Sequence, residues 1–190
     1  MLRRAIIPVL MIISLLFCSC GERDSLEKHL REAREGWEEG KTIRFTARIC
    51  AELSQEVFTC RVNCLHENGE TLVEIIEPEN LAGIKVRMSD GETKLEFDGI
   101  ILAIENPMIG ESSPLGAMGL IVDALRVGFV NQMWVERENE RALDVYEIYV
   151  DDNTSAKLWF WEENFALMNA ELVRNGRSVV KCKITDFAEE

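Results

Sequence analysis

The sequence predicts an α+β protein built from one large, curved antiparallel sheet of about eleven strands, with two helices on one face of the sheet. Two observations carry this prediction. Apolar and polar side chains alternate in short runs through most of the chain, as they do in half-buried strands. Two other segments repeat apolar residues every three or four positions, which is typical of amphipathic helices. No glycine-rich linker and no internal repeat divides the chain, so we expect a single folded domain.

The first nineteen residues have the features of a signal peptide. Arg3 and Arg4 precede an apolar run from Ala5 to Phe17. This run is too short to span comfortably a bilayer core of about 30 Å, which needs about 20 apolar residues in a helix. An ordinary secretory peptide cleaved nearby is one interpretation of the segment. The residues that follow the apolar run favour another.

Residues Leu16-Phe17-Cys18-Ser19-Cys20 resemble the lipobox of bacterial lipoproteins, in which the cysteine after a small residue receives a diacylglyceryl group. Cys20 follows Ser19 and fits that role, whereas Cys18 follows Phe17 and fits it poorly. We therefore expect residues 1–19 to be a lipoprotein signal peptide, 20–24 a lipidated anchor with a short tether, and 25–190 a single domain. The protein is then extracytoplasmic, and its acyl chains hold it at a membrane.

The charge of the chain is strongly acidic. Its 21 Lys and Arg residues face 34 Asp and Glu residues, which gives a net charge of −13. Removal of residues 1–19 takes away Arg3 and Arg4 and no acid, so 19 cations remain against 34 acids. Such a surface repels a phosphate backbone, and nucleic acid is therefore excluded as a partner.

The first half of the chain begins with a helix and continues in strands. Leu26, Leu30, Ala33 and Trp37 recur at helical spacing, which predicts a helix over Ser25–Glu39. Six strands are then expected in sequence, separated by turns such as Asp90-Gly91 and Asp98-Gly99. They cover Ile43–Ala51, Val57–Leu65, Thr71–Glu77, Ile84–Ser89, the run around Leu95 and Phe97, and Ile100–Ile104.

The second half begins with a helix whose two ends are marked in the sequence. Ser113-Pro114 resembles an N-cap followed by proline at the first helical position, and Gly128 is placed to end the helix. Gly116 and Gly119 lower its intrinsic helicity, so packing against the sheet must stabilise it. Five more strands are expected, at Met133–Glu138, Ala142–Val150, Ala156–Trp161, Ala166–Arg174 and Ser178–Phe187.

The cysteines after Cys20 are more consistent with core residues than with a site. Along an extended strand Cys60 and Cys64 lie about 13 Å apart, twice the separation that a disulfide allows. Cys50 is expected on the opposite face of the sheet from Cys60, which disfavours that pair as well. A bridge between Cys64 and Cys182 stays open, although free buried thiols are favoured. The Cys60, Cys64 and His66 side chains spread over too much strand to converge on a metal ion, so no metal site is expected.

A series of landmarks resembles the LolA-like superfamily, which includes half-barrel proteins of the lipoprotein-carrier and LppX–RseB type. The resemblance covers residues 41–187, and Met168 departs from it where these proteins often have proline. It implies a half-barrel whose concave face is covered by the N-terminal and central helices. The landmarks are Glu77-Pro78 leading into Leu81-Ala82-Gly83-Ile84, Asp90-Gly91, Asp98-Gly99, Ser113-Pro114, Trp161-Glu162, Ala170-Glu171-Leu172, Asn175-Gly176 and Ile184-Thr185-Asp186-Phe187.

The resemblance leaves two functions open, neither of them enzymatic. Among lipidated Gram-positive members, the chain is similar in size, anchor and layout to the clostridial spore germination lipoproteins. That similarity implies a membrane-anchored binding or scaffold module, with a cell-wall amidase as its partner. The alternative is a carrier or receptor that binds the acyl chains of lipids or lipoproteins in the half-barrel. Apart from the diacylglyceryl group on Cys20, no cofactor is expected.

Residues that could line an apolar binding surface on the concave face share large apolar side chains and a position in a predicted strand or the central helix. The same residues would also serve as an ordinary core between a sheet and a helix. They are Phe45, Val62, Val86, Met88, Leu95, Phe97, Met118, Val122, Leu125, Trp134 and Trp161. No catalytic residue is expected, because neither His29 nor His66 belongs to a nucleophile or metal motif.

Overall fold

The structure is a computed structural model that describes residues 20–38, 40–53, 56–89, 91–104 and 113–189. The predicted signal peptide lies outside the described residues. Two helices, α1 (Cys20–Glu38) and α2 (Gly116–Val127), accompany eleven strands in this part of the chain. The strands are β1 (Ile43–Leu53), β2 (Glu56–Glu67), β3 (Glu70–Glu77), β4 (Lys85–Ser89), β5 (Glu92–Phe97), β6 (Ile100–Ile104), β7 (Phe129–Glu138), β8 (Arg141–Tyr149), β9 (Thr154–Trp161), β10 (Leu167–Arg174) and β11 (Arg177–Glu189). The predicted fold class, a curved and unclosed α+β half-barrel, is confirmed.

All eleven strands form one antiparallel sheet in the order β6-β5-β4-β3-β2-β1-β11-β10-β9-β8-β7. Strands β1 to β6 are one meander and β7 to β11 are a second, joined where β1 pairs with β11. Strands β6 and β7 therefore lie at opposite edges of the sheet, although they follow each other along the chain. Helix α2, which lies between them in the sequence, contacts β3 on one side of the sheet centre and β8 to β10 on the other.

The alternation of strand β1 shows how the sequence selects one face of the sheet for the core. Phe45, Ala47 and Ile49 are buried, whereas Arg44, Arg48 and Cys50, at alternate positions of the same strand, are exposed. Successive side chains of a strand point to opposite faces, so the buried residues face the helices and the exposed residues face solvent. The helix-facing residues of the neighbouring strands, such as Val62 and Ile184, join the same core.

Helix α1 begins at Cys20, five residues before the predicted start, so the predicted tether over 20–24 is helical. An ion pair between Arg23 and Glu27, one helical turn apart, supports this added turn. Two polar contacts fix α1 against β8. The Nδ1 atom of His29 lies 2.7 Å from Oδ2 of the buried Asp144, and the Tyr146 hydroxyl donates to the carbonyl of Leu26 at 2.9 Å.

Helix α2 packs against both α1 and the sheet. The helix begins at Gly116, two residues after the predicted first position Pro114, and the Ser113 hydroxyl accepts the N–H of Gly116 at 2.9 Å in the turn that leads into it. Its last turn is bound by Arg34 of α1, whose guanidinium donates to the carbonyls of Ala124, Leu125 and Gly128. Burial lowers the pKa of Arg34, but the side chain stays charged. The two helices thus form one plug over the middle of the concave face.

None of the helices in the described part of the chain is long and apolar enough to cross a bilayer. The N-terminal segment with the predicted lipidation site, including the side chain of Cys20, lies outside what the structure describes.

Candidate functional site

One row of directly opposed side chains runs from the centre of the concave face to its β6 edge. It passes through Phe45, Cys64, Val73, Val86, Leu95 and Leu102, one from each of β1 to β6. Phe45, Cys64, Val73 and Val86 are buried, Leu95 is half-buried and Leu102 is 57% exposed. The row stays apolar to its end, so the apolar lining of the half-barrel continues beyond the area that the helices cover.

The uncovered area is formed by Met88, Leu95, Phe97, Ile100 and Leu102 of β4 to β6, and we name it the open wing. Phe97 is 46% exposed and Ile100 is 63% exposed. Helix α2 reaches the wing at Gly119, where a Cβ would lie 2.6 Å from the Sδ atom of Met88. Glycine at this position allows the helix to approach the sheet closely, so Met88 is the residue of the wing that lies at its covered margin.

The opposite face of β4 and β5 is charged and paired, and β6 adds the uncharged Ile101 and Ala103 to it. Arg87 donates to Glu70 at 2.7 Å and lies 3.5 Å from Glu96, and Lys94 pairs with Glu92 at 2.9 Å. This face is therefore an ordinary solvated surface. The two faces of these strands therefore differ in polarity, and the apolar face is the concave one, which faces into the half-barrel.

The helix residues predicted to line the site do not line an open space. Met118, Val122 and Leu125 are fully buried in one cluster with Phe45 and Val62. Apolar side chains packed in this way form the core that holds the helices to the sheet. Of the predicted lining residues, Met88, Leu95 and Phe97 are the ones that the structure brings together in the open wing, with Val86 at its buried margin.

Two predicted lining residues, Trp134 and Trp161, are placed on the other face of the sheet. Trp134 and Trp159 both lie opposite Val145, whereas the helix-facing Tyr146 is the next residue along β8. Trp161 shares the face of Trp159, two residues away. Its ring packs under the guanidinium of Arg141, 3.7 Å from the ring centroid. These tryptophans therefore belong to the convex surface and cannot share a ligand with the open wing.

Two residues of the open wing, Ile100 and Leu102, were not among the predicted lining residues. The run Ile100–Ile104 is apolar at every position, which is typical of a strand buried on both faces. In the structure it is an edge strand exposed on both faces. These residues are exposed because β6 lies at the edge of the sheet, and the sequence of a strand does not show its position in the sheet.

A second concavity, of about 800 Å³, lies at the opposite edge between the start of α1 and β7. Arg23, Asn131, Gln132 and Arg137 contribute to its walls, together with the apolar Leu26. Its lining is more polar than the open wing. A ligand in this concavity would form hydrogen bonds, whereas a ligand on the open wing would form apolar contacts.

The four cysteines of the domain are free thiols, and Cys50 faces away from the buried Cys60, as predicted. Burial raises the pKa of Cys60 to about 11 and that of Cys64 to about 12, so both thiols stay protonated at neutral pH. A protonated thiol is a poor nucleophile and a poor metal ligand. In the described ranges, no three His, Cys, Asp or Glu side chains are grouped so as to hold a metal ion.

His66 is a buried neutral residue of the core. Burial, followed by the positive charge of Arg126, lowers the pKa of His66 to about 4. Its Nδ1 atom lies 2.9 Å from the hydroxyl of Thr71, so the ring has a polar partner within the core. This explains a histidine on an apolar face without a ligand.

No family model and no curated protein matches the chain. Among solved structures, it is similar to a DUF1329 family protein from Desulfovibrio piger, with a TM-score of 0.52 and 7% identity over 89% of this chain and 93% of that one. It is also similar to a candidate outer membrane lipoprotein-sorting protein domain from Vibrio parahaemolyticus (TM-score 0.47, 13% identity, 85% and 93% covered). A third similar structure is the Mycobacterium tuberculosis lipoprotein LppX (TM-score 0.44, 9% identity, 88% and 96% covered). At these identities the similarity concerns the fold.

Proposed function

We propose that this protein is an extracytoplasmic binding protein of the LolA-like type that holds the acyl chains of a lipid or lipoprotein against its open wing. The observation that carries the proposal is the apolar row that continues, uncovered, from the core to Leu102. Apolar area in contact with water stabilises a complex by about 25 cal/mol for each Å² that a ligand covers. A contiguous apolar patch inside a curved sheet is a natural surface for a flexible hydrocarbon chain.

The anchor adds a spatial argument. We propose that Cys20 carries a diacylglyceryl group, which places the first residue of α1 at the membrane surface. With the lipid attached to the first helical residue, no flexible linker separates the domain from the bilayer. A domain held this closely would receive acyl chains from its own membrane more readily than it would cross to a second one. A fixed receptor is therefore favoured over a diffusing carrier.

The experiment that tests this function is mass spectrometry of the protein after gentle extraction from its host. We expect non-covalent acyl material in stoichiometric amount, in addition to the covalent modification of the N-terminal cysteine. Protein that carries the covalent lipid and no other acyl material, even after incubation with total membrane lipid, contradicts the proposal.

A second candidate is the scaffold function, in which the protein supports a cell-wall amidase as the clostridial germination lipoproteins do. The observation that favours it is edge strand β6, whose five residues carry no charge. Exposed edge strands without charged residues are sites where another chain can add a strand. Capture of an amidase by the wild-type protein, abolished by a proline at Ile101, would favour this candidate over acyl binding.

A further inference from the structure

A second row of directly opposed residues crosses the convex face, opposite to the open wing. It runs through Arg61, Arg48 and Lys183 on β2, β1 and β11, and continues through Asn169 and Trp159 on β10 and β9. Three cations thus stand side by side at directly opposed positions of neighbouring strands. Like charges at such positions destabilise a sheet. In a protein with 34 acids and 21 bases, this arrangement needs an explanation.

The charges in the middle of this row have no ion-pair partner in the part of the chain that the structure describes. Arg61 pairs with Glu77 at 3.3 Å, but Arg48, Lys181 and Lys183 have no ion-pair partner among the described residues. The three line one shallow depression of about 570 Å³. Glu171 is the carboxylate in its lining. The depression therefore carries a net positive charge on an acidic protein.

The other end of the depression is lined by an aromatic ring. Trp159 is held in place by two contacts, since its Nε1 donates to Glu136 at 3.0 Å and the Lys157 ammonium lies 5.2 Å from its ring centroid. Asn169 stands between Trp159 and Lys183 in the row, and its amide can both donate and accept a hydrogen bond. From Lys183 to Trp159 the row spans two strand spacings, about 10 Å.

We propose that this depression binds a sugar that carries a phosphate or carboxylate group. The anion pairs with Arg48 and Lys183, a hydroxyl bonds to the Asn169 amide, and the C–H face of the ring packs on the indole of Trp159. The order of cation, amide and aromatic ring along one line matches the order of groups in such a ligand. A flat anionic membrane fits less well, because the cations lie in a depression that Glu171 also lines.

The test is calorimetric titration of the purified full chain in non-ionic detergent with glucose 6-phosphate, glucuronic acid, glucose and inorganic phosphate. We expect the two acidic sugars to bind more tightly than glucose or phosphate. The double variant R48Q/K183Q should weaken their binding by at least about tenfold. The matched control K28Q/R31Q removes one lysine and one arginine from the exposed face of α1 and should leave it unchanged.

A second variant separates the two halves of the site. W159L should weaken glucose 6-phosphate binding and leave phosphate binding unchanged, because the ring contacts the sugar and not the anion. The variants change partly or fully exposed side chains, and their thermal midpoints verify that they fold. The proposal is overturned if no acidic sugar binds, if R48Q/K183Q binds as wild type does, or if the protein binds phosphatidylglycerol vesicles through this face and no sugar.

Discussion

At the scale of single residues, burial sets the protonation state of the polar groups inside the core. The buried thiols are protonated because burial raises the pKa of Cys60 and Cys64, and His66 is neutral because burial lowers its pKa. The spacing of Cys60, Cys64 and His66 along one strand is the reason why no metal site is expected there. The sequence could not show that His66 would find Thr71 as a partner, because that contact depends on the β2–β3 register.

His66 makes the stability of the protein depend on pH. Its pKa is about 4 in the folded protein against an ordinary value of 6.5, so the unfolded chain binds more protons between these pH values. The stabilising contribution is therefore complete above about pH 6.5 and is lost as the pH falls towards 4, by an amount on the order of 1–3 kcal/mol. His66→Asn should flatten the dependence of the free energy of unfolding on pH in this window, as measured by urea denaturation. An unchanged slope in the variant would contradict the assignment.

At the scale of secondary structure, alternation and turn residues predicted the eleven strands, and their bounds differ from prediction by a few residues. The largest difference among the strands is β7, which begins at Phe129 and not at Met133. A register shift between Val130 and Gln132 breaks its alternation. The face of Trp161 was not predictable from β9, because this strand has large apolar residues on both faces, Phe160 on one and Trp159 on the other.

The contact between the two helices can be tested at Arg34. Arg34→Met removes three hydrogen bonds, of 2.9, 3.0 and 2.7 Å, from carbonyls of the last turn of α2 and Gly128. We expect a loss of about 2–3 kcal/mol in the free energy of unfolding, since the carbonyls lose a charged partner. The control Arg31→Met, one turn earlier on the exposed side of α1, should cost less than about 1 kcal/mol. Equal losses in thermal or urea denaturation would show that Arg34 does not hold α2.

At the scale of the whole molecule, the topology divides the concave face into a plugged centre and an open wing. Strands β6 and β7 are at opposite edges, and α2, which follows β6 and precedes β7 in the sequence, packs over the centre of the face. A landmark-based resemblance to the LolA-like superfamily predicted the half-barrel and its covering helices. It could not predict how far the helices reach, because that depends on close contacts such as Gly119 with Met88.

The predicted lipid anchor is also a property of the whole molecule. Cys20→Ser removes the thiol that would receive the diacylglyceryl group, so the covalent acyl mass on the N-terminal segment should be lost. Cys18→Ser is the matched control, since it changes the neighbouring cysteine of the same segment and should leave that acyl mass in place. Mass spectrometry of both chains after detergent extraction from the host envelope measures the difference. Covalent acyl mass on the Cys20→Ser chain would rule out this anchor.

The central claim is that an apolar ligand covers the open wing. Leu102 and Ile101 are neighbours on β6 with similar exposure, 57% and 64%, but they point to opposite faces of the sheet. The decisive measurement is the affinity of Leu102→Glu and Ile101→Glu for a fluorescent fatty acid. We predict at least about tenfold weaker binding for Leu102→Glu, because covering its carboxylate with hydrocarbon is costly, and near wild-type binding for Ile101→Glu. Equal affinities in the two variants would contradict a ligand on the concave side of the wing.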